Sequence, residues 1–408
     1  MRSGIVLCAL LLVAGCATGG RPNAAYPDPR SLDAGSYSVE PLDEPANGNE
    51  HYGRVLESMR LAEALIDPAE ADAALSRSLG ASPMMPLPAP ANAAVLLANP
   101  VRPVLERDGM LAGAAVAGAD VDIPSGRPVI GGSRLLTSIV LRFPDAAAAQ
   151  RAATDIDAVD AAVNPDNVPV PIPGHPAAHA HWRPAVPTMA ATIAQGEYVV
   201  SLLLGHTAPD AAVLTGLAAK AFTAQFARLR DFAATPPDRL AALPLDRDGM
   251  VRRMVPDAPG RWSYPAVMTT SKELDAGWNA LVLGRGVVYG PRAAWLWGGR
   301  KQTDHPVELM ANNGFNALMR YADPATARRA FDDSKRKDTA QADLRPASAP
   351  GGVPDSLCWE SSQPDALRMT RFICRLVHGR YTAAIVGRDL TVTQQKTAAQ
   401  YGLLVNGG

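Results

Sequence analysis

The sequence predicts an α+β protein made by internal duplication: two related units, each a sandwich of ferredoxin-like type with helices packed on a small antiparallel or mixed sheet. Two observations predict it. Landmarks recur in the same order in both halves. Arg142-Phe143-Pro144-Asp145, followed by Ala152 and Ala153, answers Arg320-Tyr321-Ala322-Asp323, followed by Ala330 and Phe331. Gly174 stands 8 residues ahead of Trp182, and Gly351 stands 8 ahead of Trp359. Gly196-Glu197-Tyr198 answers Gly379-Arg380-Tyr381, and Ala224-Gln225-Phe226 answers Ala399-Gln400-Tyr401. A fixed order at nearly constant offset is the mark of a repeated structural unit. The second observation is that both sets of landmarks sit on the same succession of strand-like and helix-like segments, strand–helix–strand–strand–helix. Helices segregated over a short sheet give the α+β class.

The elements follow in order. Over residues 50–79, Val55, Met59, Ala62, Leu65 and Ile66 recur at helical spacing, and Asp67-Pro68 interrupts as a cap to a second short helix through Leu75. Residues 82–90 hold 4 prolines and read as extended or looped. Residues 135–143 are strand-like. Asp145 caps an alanine-rich helix to Ala162, and residues 180–184 and 190–204 read as two strands. Pro209-Asp210 opens a helix to Arg230. Downstream, residues 316–321 form a strand and Asp323-Pro324 opens a helix through Lys335. Residues 357–360 and 371–386 form strands, and a last helix starts at Thr391. Residues 235–261, with Pro236-Pro237 and Asp246-Arg247-Asp248-Gly249, read as a linker of turns. Val287-Val288-Tyr289 enters a tight turn at Gly290-Pro291. Domain boundaries are therefore expected at 50–234 and 262–408. Trp182, Trp359, Tyr198 and Tyr381 are expected as equivalent core landmarks, the indole N–H groups bonded to backbone.

Ahead of these units stands an export pattern. Arg2 precedes the apolar residues 4–14, and Val13-Ala14-Gly15-Cys16 reads as a lipobox. Such a run is shorter than the roughly 20 residues of a membrane-spanning helix and fits a removable signal, residues 1–15. Cys16 would then carry the acyl chains, and two chains anchor stably where one does not. Residues 16–49, rich in Gly, Pro, Asn and Asp, read as a tether. Leu32 and Tyr37 are the residues there suited to pack on the body.

With 39 basic and 40 acidic residues the 408-residue chain has no positive excess to neutralise phosphates, which argues against nucleic acid as a partner. Cys8 falls in the signal segment, leaving Cys358 and Cys374. In an exported chain an isolated pair is most simply a disulfide. By the glycine-to-tryptophan spacing His181 answers Cys358, and counted back from the tyrosine Ala191 answers Cys374, so the bridge belongs to the second unit alone.

No G-x-S-x-G elbow, H-E-x-x-H helix, phosphate loop or dinucleotide fingerprint occurs in the sequence, and no catalytic residue or cofactor is predicted. Asp246-Arg247-Asp248-Gly249 lacks the later carboxylate of a calcium loop, since Val255 stands there, and reads as a turn. His175, His179 and His181 are the metal-ligand candidates. In an extended strand His179 and His181 share a face, with His175 from the loop and His206 as a fourth donor for Zn²⁺ or Cu²⁺.

Several stretches together resemble a family of uncharacterised actinobacterial lipoproteins from mycolate-bearing genera, with N- and C-terminal parts of unknown function. They are the lipobox, Leu32-Asp33-Ala34-Gly35-Ser36-Tyr37, Gly53-Arg54-Val55-Leu56-Glu57-Ser58-Met59-Arg60, Leu245-Asp246-Arg247-Asp248-Gly249-Met250-Val251-Arg252-Arg253, and Tyr289-Gly290-Pro291-Arg292-Ala293. The likeness covers essentially the whole chain and implies a cell-envelope location and no established activity. The repeat unit also faintly resembles the extracellular sensor domain of mycobacterial receptor kinases. The reading is a non-enzymatic lipoprotein that meets an envelope protein, glycan or lipid. The alternatives are a carrier or sensor of a lipid or small ligand, and an enzyme or metal protein using the histidines.

Overall fold

The structure, a computed structural model, describes residues 26–46, 48–80, 82–123, 128–270, 281–298, 305–363 and 370–407. The lipobox with Cys16 and the start of the expected tether lie outside the described residues, as does Trp278.

The first half runs α1 (Glu50–Leu61), α2 (Pro68–Ala71), β1 (Arg77–Ser78), β2 (Met84–Pro86), α3 (Pro90–Ala93), α4 (Arg102–Arg107), β3 (Ala112–Ala119) and β4 (Leu135–Arg142). It continues with α5 (Ala146–Ala161), β5 (Val168–Pro169), β6 (His179–Trp182), β7 (Thr188–Gln195), β8 (Tyr198–Gly205) and α6 (Ala211–Arg230). The second half runs β9 (Ala266–Thr270), β10 (Leu281–Tyr289), α7 (Pro291–Trp297), β11 (Leu309–Asn313), β12 (Asn316–Arg320) and α8 (Pro324–Ala340). It ends with β13 (Leu344–Ala347), β14 (Ser356–Ser361), β15 (Phe372–His378), β16 (Tyr381–Gly387) and α9 (Leu390–Asn406). Aspartates start the long helices: Asp145, Asp210, Asp323 and Asp389 each accept a backbone N–H from the first turn, satisfying donors the helix leaves open.

Among the described residues the strands form two antiparallel sheets of eight. Their orders repeat. The first contains β3-β4-β8-β7-β6-β5 and the second β11-β12-β16-β15-β14-β13. The duplication therefore holds at the level of chain path. Each expected long strand, residues 190–204 and 371–386, is a hairpin of two strands. It turns at Gly196 (φ 57°) or Gly379 (φ 52°), positive values that glycine takes without steric cost.

Helices cover both faces of each sheet. Ile139 and Leu141 pack with Ala149, Ala152 and Ile156 of α5, while Leu136 and Val140 pack with Leu214, Ala218 and Phe222 of α6. The alternation of strand side chains supplies one layer to each helix. In the second half α8 and α9 divide the faces in the same way: Tyr321 and Phe331 lie on one, and Leu318, Ala383 and Tyr401 on the other.

The register corrects one landmark. Cys358 pairs with Cys374, whereas Ala191, seven residues before Tyr198 as Cys374 is before Tyr381, pairs with Ala180. So Ala180, not His181, answers Cys358, and His181 answers Trp359. Pro169 opposite His181 and Pro346 opposite Trp359 agree. The stretch between Gly351 and β14 is one residue longer than its counterpart, and a one-residue offset exchanges faces. Trp182 packs with the α6 cluster, and Trp359, beside Leu357 of the α8 cluster, points to the other side. The two tryptophans are thus not equivalent core plugs. Tyr198 and Tyr381 do match: each opens its strand opposite the last arginine of the preceding pair, Arg142 or Arg320.

The halves share a core. Tyr289, Ala293 and Leu296 pack with Leu65, Leu214 and Phe222. Glu63 accepts the N–H groups of Arg292 and Ala293 at the start of α7 (3.2 and 2.9 Å), and Arg292 returns a hydrogen bond to the Leu65 carbonyl (2.6 Å). The expected linker contributes buried residues too. Leu240 is buried, and Met250, Met254 and Val255 pack on α9 and its surroundings. Asp246 accepts the N–H groups of Val251 and Arg252, which makes its motif a turn. Within the expected tether, Leu32, Ala34, Tyr37 and Val39 lie against the α9 layer.

Candidate functional site

The three predicted histidines do not meet. His175 follows the turn at Gly174 and lies on the α6 side. Its Nε2 stands 3.1 Å from the Ala219 carbonyl and 3.2 Å from Thr223 Oγ1, with the ring edge-on to Phe222 and Phe226. His179 and His181 share the opposite face of β6, as strand periodicity requires. His179 Nε2 lies 3.2 Å from Thr154 Oγ1 of α5. His181 is buried, its Nδ1 2.8 Å from Asp157 and its Nε2 3.6 Å from Asp160. Burial pushes the Asp160 carboxyl above the ordinary range; His181 opposes the push and Asp157 adds to it. His206 is engaged with its own loop at Ala208. Among the described residues no group of three or more His, Cys, Asp or Glu is placed to hold a metal ion. His181 acts as a tie between β6 and α5.

Cys358 and Cys374 are joined by a disulfide between β14 and β15. Ala180 and Ala191 fill the equivalent places of the first unit, so the bridge is confined to the second.

The same four strands end in a groove that sequence reading missed. Arg345, Glu360, Phe372 and Gly387 are register partners in a row across β13, β14, β15 and β16. Arg371 and Arg388 adjoin the row, and the groove between them encloses about 530 Å³. Arg371 donates from Nε (2.9 Å) and Nη2 (2.5 Å) to Glu360 Oε1, and its guanidinium lies 5.3 Å over the Phe372 ring. The Ser361 and Ser362 hydroxyls donate to the backbone carbonyls of Gln363 and Asp343. Among the described residues, Arg345, Arg371, Arg388 and Glu360 line a single open hollow. By register the row in the first unit reads Val168, Trp182, Met189 and Leu204, with no charge. The arginines lie 43 residues apart along the chain, from 345 to 388, and only the strand order brings them together.

A second hollow, about 510 Å³, opens between α6 and the β7–β8 turn and is lined by His175, Tyr198, Phe226 and Leu229. Burial, with the charge of Glu197, pushes the Tyr198 phenol well above its ordinary value, so it stays neutral.

The chain matches the family described as domain of unknown function DUF7373, its N-terminal domain over residues 44–245 and its C-terminal domain over residues 250–407. It belongs to that family. Among curated proteins none matches it. Among solved structures it is similar to the extracellular domain of PknH from Mycobacterium tuberculosis, at 12% identity and a TM-score of 0.27, over 46% of this chain and 100% of that one.

Proposed function

We propose that this protein is an extracytoplasmic module, held at a membrane by acyl chains on Cys16, that works by binding an envelope protein, glycan or lipid. The observation that carries the reading is the Cys358–Cys374 bridge, because disulfides persist in oxidising compartments outside the cytoplasm. The apolar run that ends in Val13-Ala14-Gly15-Cys16 supports the anchor. Among the described residues no helix is long and apolar enough to cross a membrane, so the acyl chains would carry the attachment.

Growth of an actinobacterial host with alkyne-tagged palmitate tests it. The expected result is label on the wild-type chain in the membrane fraction and none on Cys16→Ala, which is released or retained as precursor. Unlabelled wild-type protein in the soluble fraction would reject the anchor. The hollow at Tyr198 and Phe226 favours a second reading, a carrier or sensor of a small apolar ligand. Co-purification of a lipid that Phe226→Ala loses would support it.

A further inference from the structure

We infer that the hollow between α6 and the β7–β8 turn seats an extended peptide segment of a partner protein, one that presents an aromatic side chain followed by an aliphatic one. The inference rests on the binding-module reading and names one surface and the kind of partner that fits it. The duplication carries it. Gln225 of α6 bonds to the Ala64 carbonyl and the Ile66 N–H, and Gln400 of α9 bonds to the Arg253 carbonyl and the Val255 N–H in the same way. Phe226 and Tyr401, next in each helix, are therefore counterparts. Gln195 answers His378, and Tyr198 answers Tyr381. Gly174 (φ 75°) and Gly352 (φ 77°) make the same turn, each 7 residues ahead of the matched strand positions His181 and Trp359.

In the second unit this place is covered by the chain's own residues 26–39. The Tyr26 ring stands edge-on to His378 at 4.9 Å, and His378 in turn to Tyr401. Leu32 packs against the cluster that holds Val353 and Tyr401, and a Cβ at Gly352 would stand 2.9 Å from it. In the first unit the counterparts His175, Tyr198, Phe226 and Leu229 line the open hollow of about 510 Å³, and a Cβ at Gly174 would meet no described atom within 4 Å. One seat is thus built twice, and the described residues cover it once. A small apolar ligand would use only the rings. A peptide also meets Gln195 and Arg230 on the rim, donors for its carbonyls and for an acidic side chain. Residues 26–32 of a second copy are already held on their own α9, so the occupant is another protein's segment. A Cβ at Gly402 would stand 2.5 Å from Val39, and Ala227 carries that Cβ in the first unit. The partner's segment therefore follows the path of Tyr26 to Leu32 and not the crossing at Val39.

The test takes a fluorescein-labelled peptide of residues 26–34 as the probe and follows its anisotropy on titration with the full chain in neutral-headgroup detergent. Saturable binding is expected, weakened roughly tenfold by Phe226→Ala in the chain or by Tyr26→Ala in the peptide. Ala227→Trp, a change at an exposed helix position that fills the hollow, should block binding with the melting temperature unchanged, which separates lost binding from lost fold. A benzophenone in place of the Tyr26 ring of the peptide should attach to α6 or to the β7–β8 turn. Attachment at α9 alone, no saturable binding, or equal binding by wild type and both chain variants overturns the inference. Dimers that dissociate on Tyr26→Ala in the full chain would make a second copy the occupant, and a co-purified lipid that the peptide does not displace would make it a lipid; either result overturns the assignment. Palmitate labelling of Cys16 is read separately, so a silent titration on a labelled, exported chain refutes the peptide seat and leaves the anchor standing.

Discussion

Arg142 and Arg320 occupy the same place in the two units, each last in its strand and opposite the tyrosine that opens the next. Their surroundings differ. Arg142 is 1% exposed and pairs with Glu57, which is fully buried, and with Glu197, both at 2.8 Å. Glu57 also accepts the Thr235 N–H (2.9 Å) and hydroxyl (2.7 Å) and binds Arg60. Arg320 lies near the surface and pairs with Glu308 at 3.2 Å. Arg380 stands where the first unit has Glu197, and Glu308 binds it as well. One duplicated arginine has thus become a buried tie between α1, β4 and the segment at Thr235, and the other a surface pair. A repeated backbone leaves each copy free to place its charges by what packs around it.

Breaking the buried tie should have the largest effect. Glu57→Ala leaves Arg142 and Thr235 without their shared acceptor and should cost about 3–5 kcal/mol, since removing one partner strands a buried charge. Urea denaturation measures it. Next comes the bridge that only the second unit has. Cys358→Ser with Cys374→Ser should cost about 3 kcal/mol by freeing a loop of this length in the unfolded chain, and reduction of the wild type should match it.

These expectations also show what the sequence makes legible. Helix starts were readable because Asp145, Asp210 and Asp323 are chemical signals in their own right. The disulfide followed from counting cysteines. The strand β3 was not readable. Its sequence Ala112-Gly113-Ala114-Ala115-Val116-Ala117-Gly118-Ala119 is buried on both faces, with no alternation and little β-branching. A side chain at Gly113 would meet Leu141 at 2.8 Å and the Val140 carbonyl at 3.0 Å, so close packing selects the small residues. The tryptophan alignment failed by one residue, a shift that barely alters spacing and yet exchanges the faces of a strand. The arginine groove was hidden because register places its residues together.

A third, smaller effect separates the units by pH. His378 stands where the first unit has Gln195, each opposite the tyrosine across its hairpin. Its ring lies edge-on to Tyr26 (4.9 Å) and Tyr401 (5.4 Å), and burial holds its pKa below the usual value. The folded state therefore binds this proton less readily than the unfolded chain. The associated stability is complete above the ordinary histidine pKa, about 6.5, and is lost as pH falls below it. Thermal melts between pH 5 and pH 8 should show a decline in acid that His378→Gln reduces and Gln195→Ala leaves intact. The smallest effect is expected at the surface pair. Glu308→Ala should cost about 0–1 kcal/mol, in contrast to Glu57→Ala. A cost equal to that of Glu57→Ala would remove the distinction between the buried and the exposed tie.

The packing of residues 28–40 on the last helix orders events in time. Gln395 donates to Asp33 (3.1 Å) and Asn406 to the Val39 carbonyl (3.0 Å), both from α9. Residues 28–40 thus have to wait for α9 to be made before they find their seat. Any pull on the N-terminus is then delivered to the C-terminal layer, and a chain cut short before residue 390 leaves its leading end undocked.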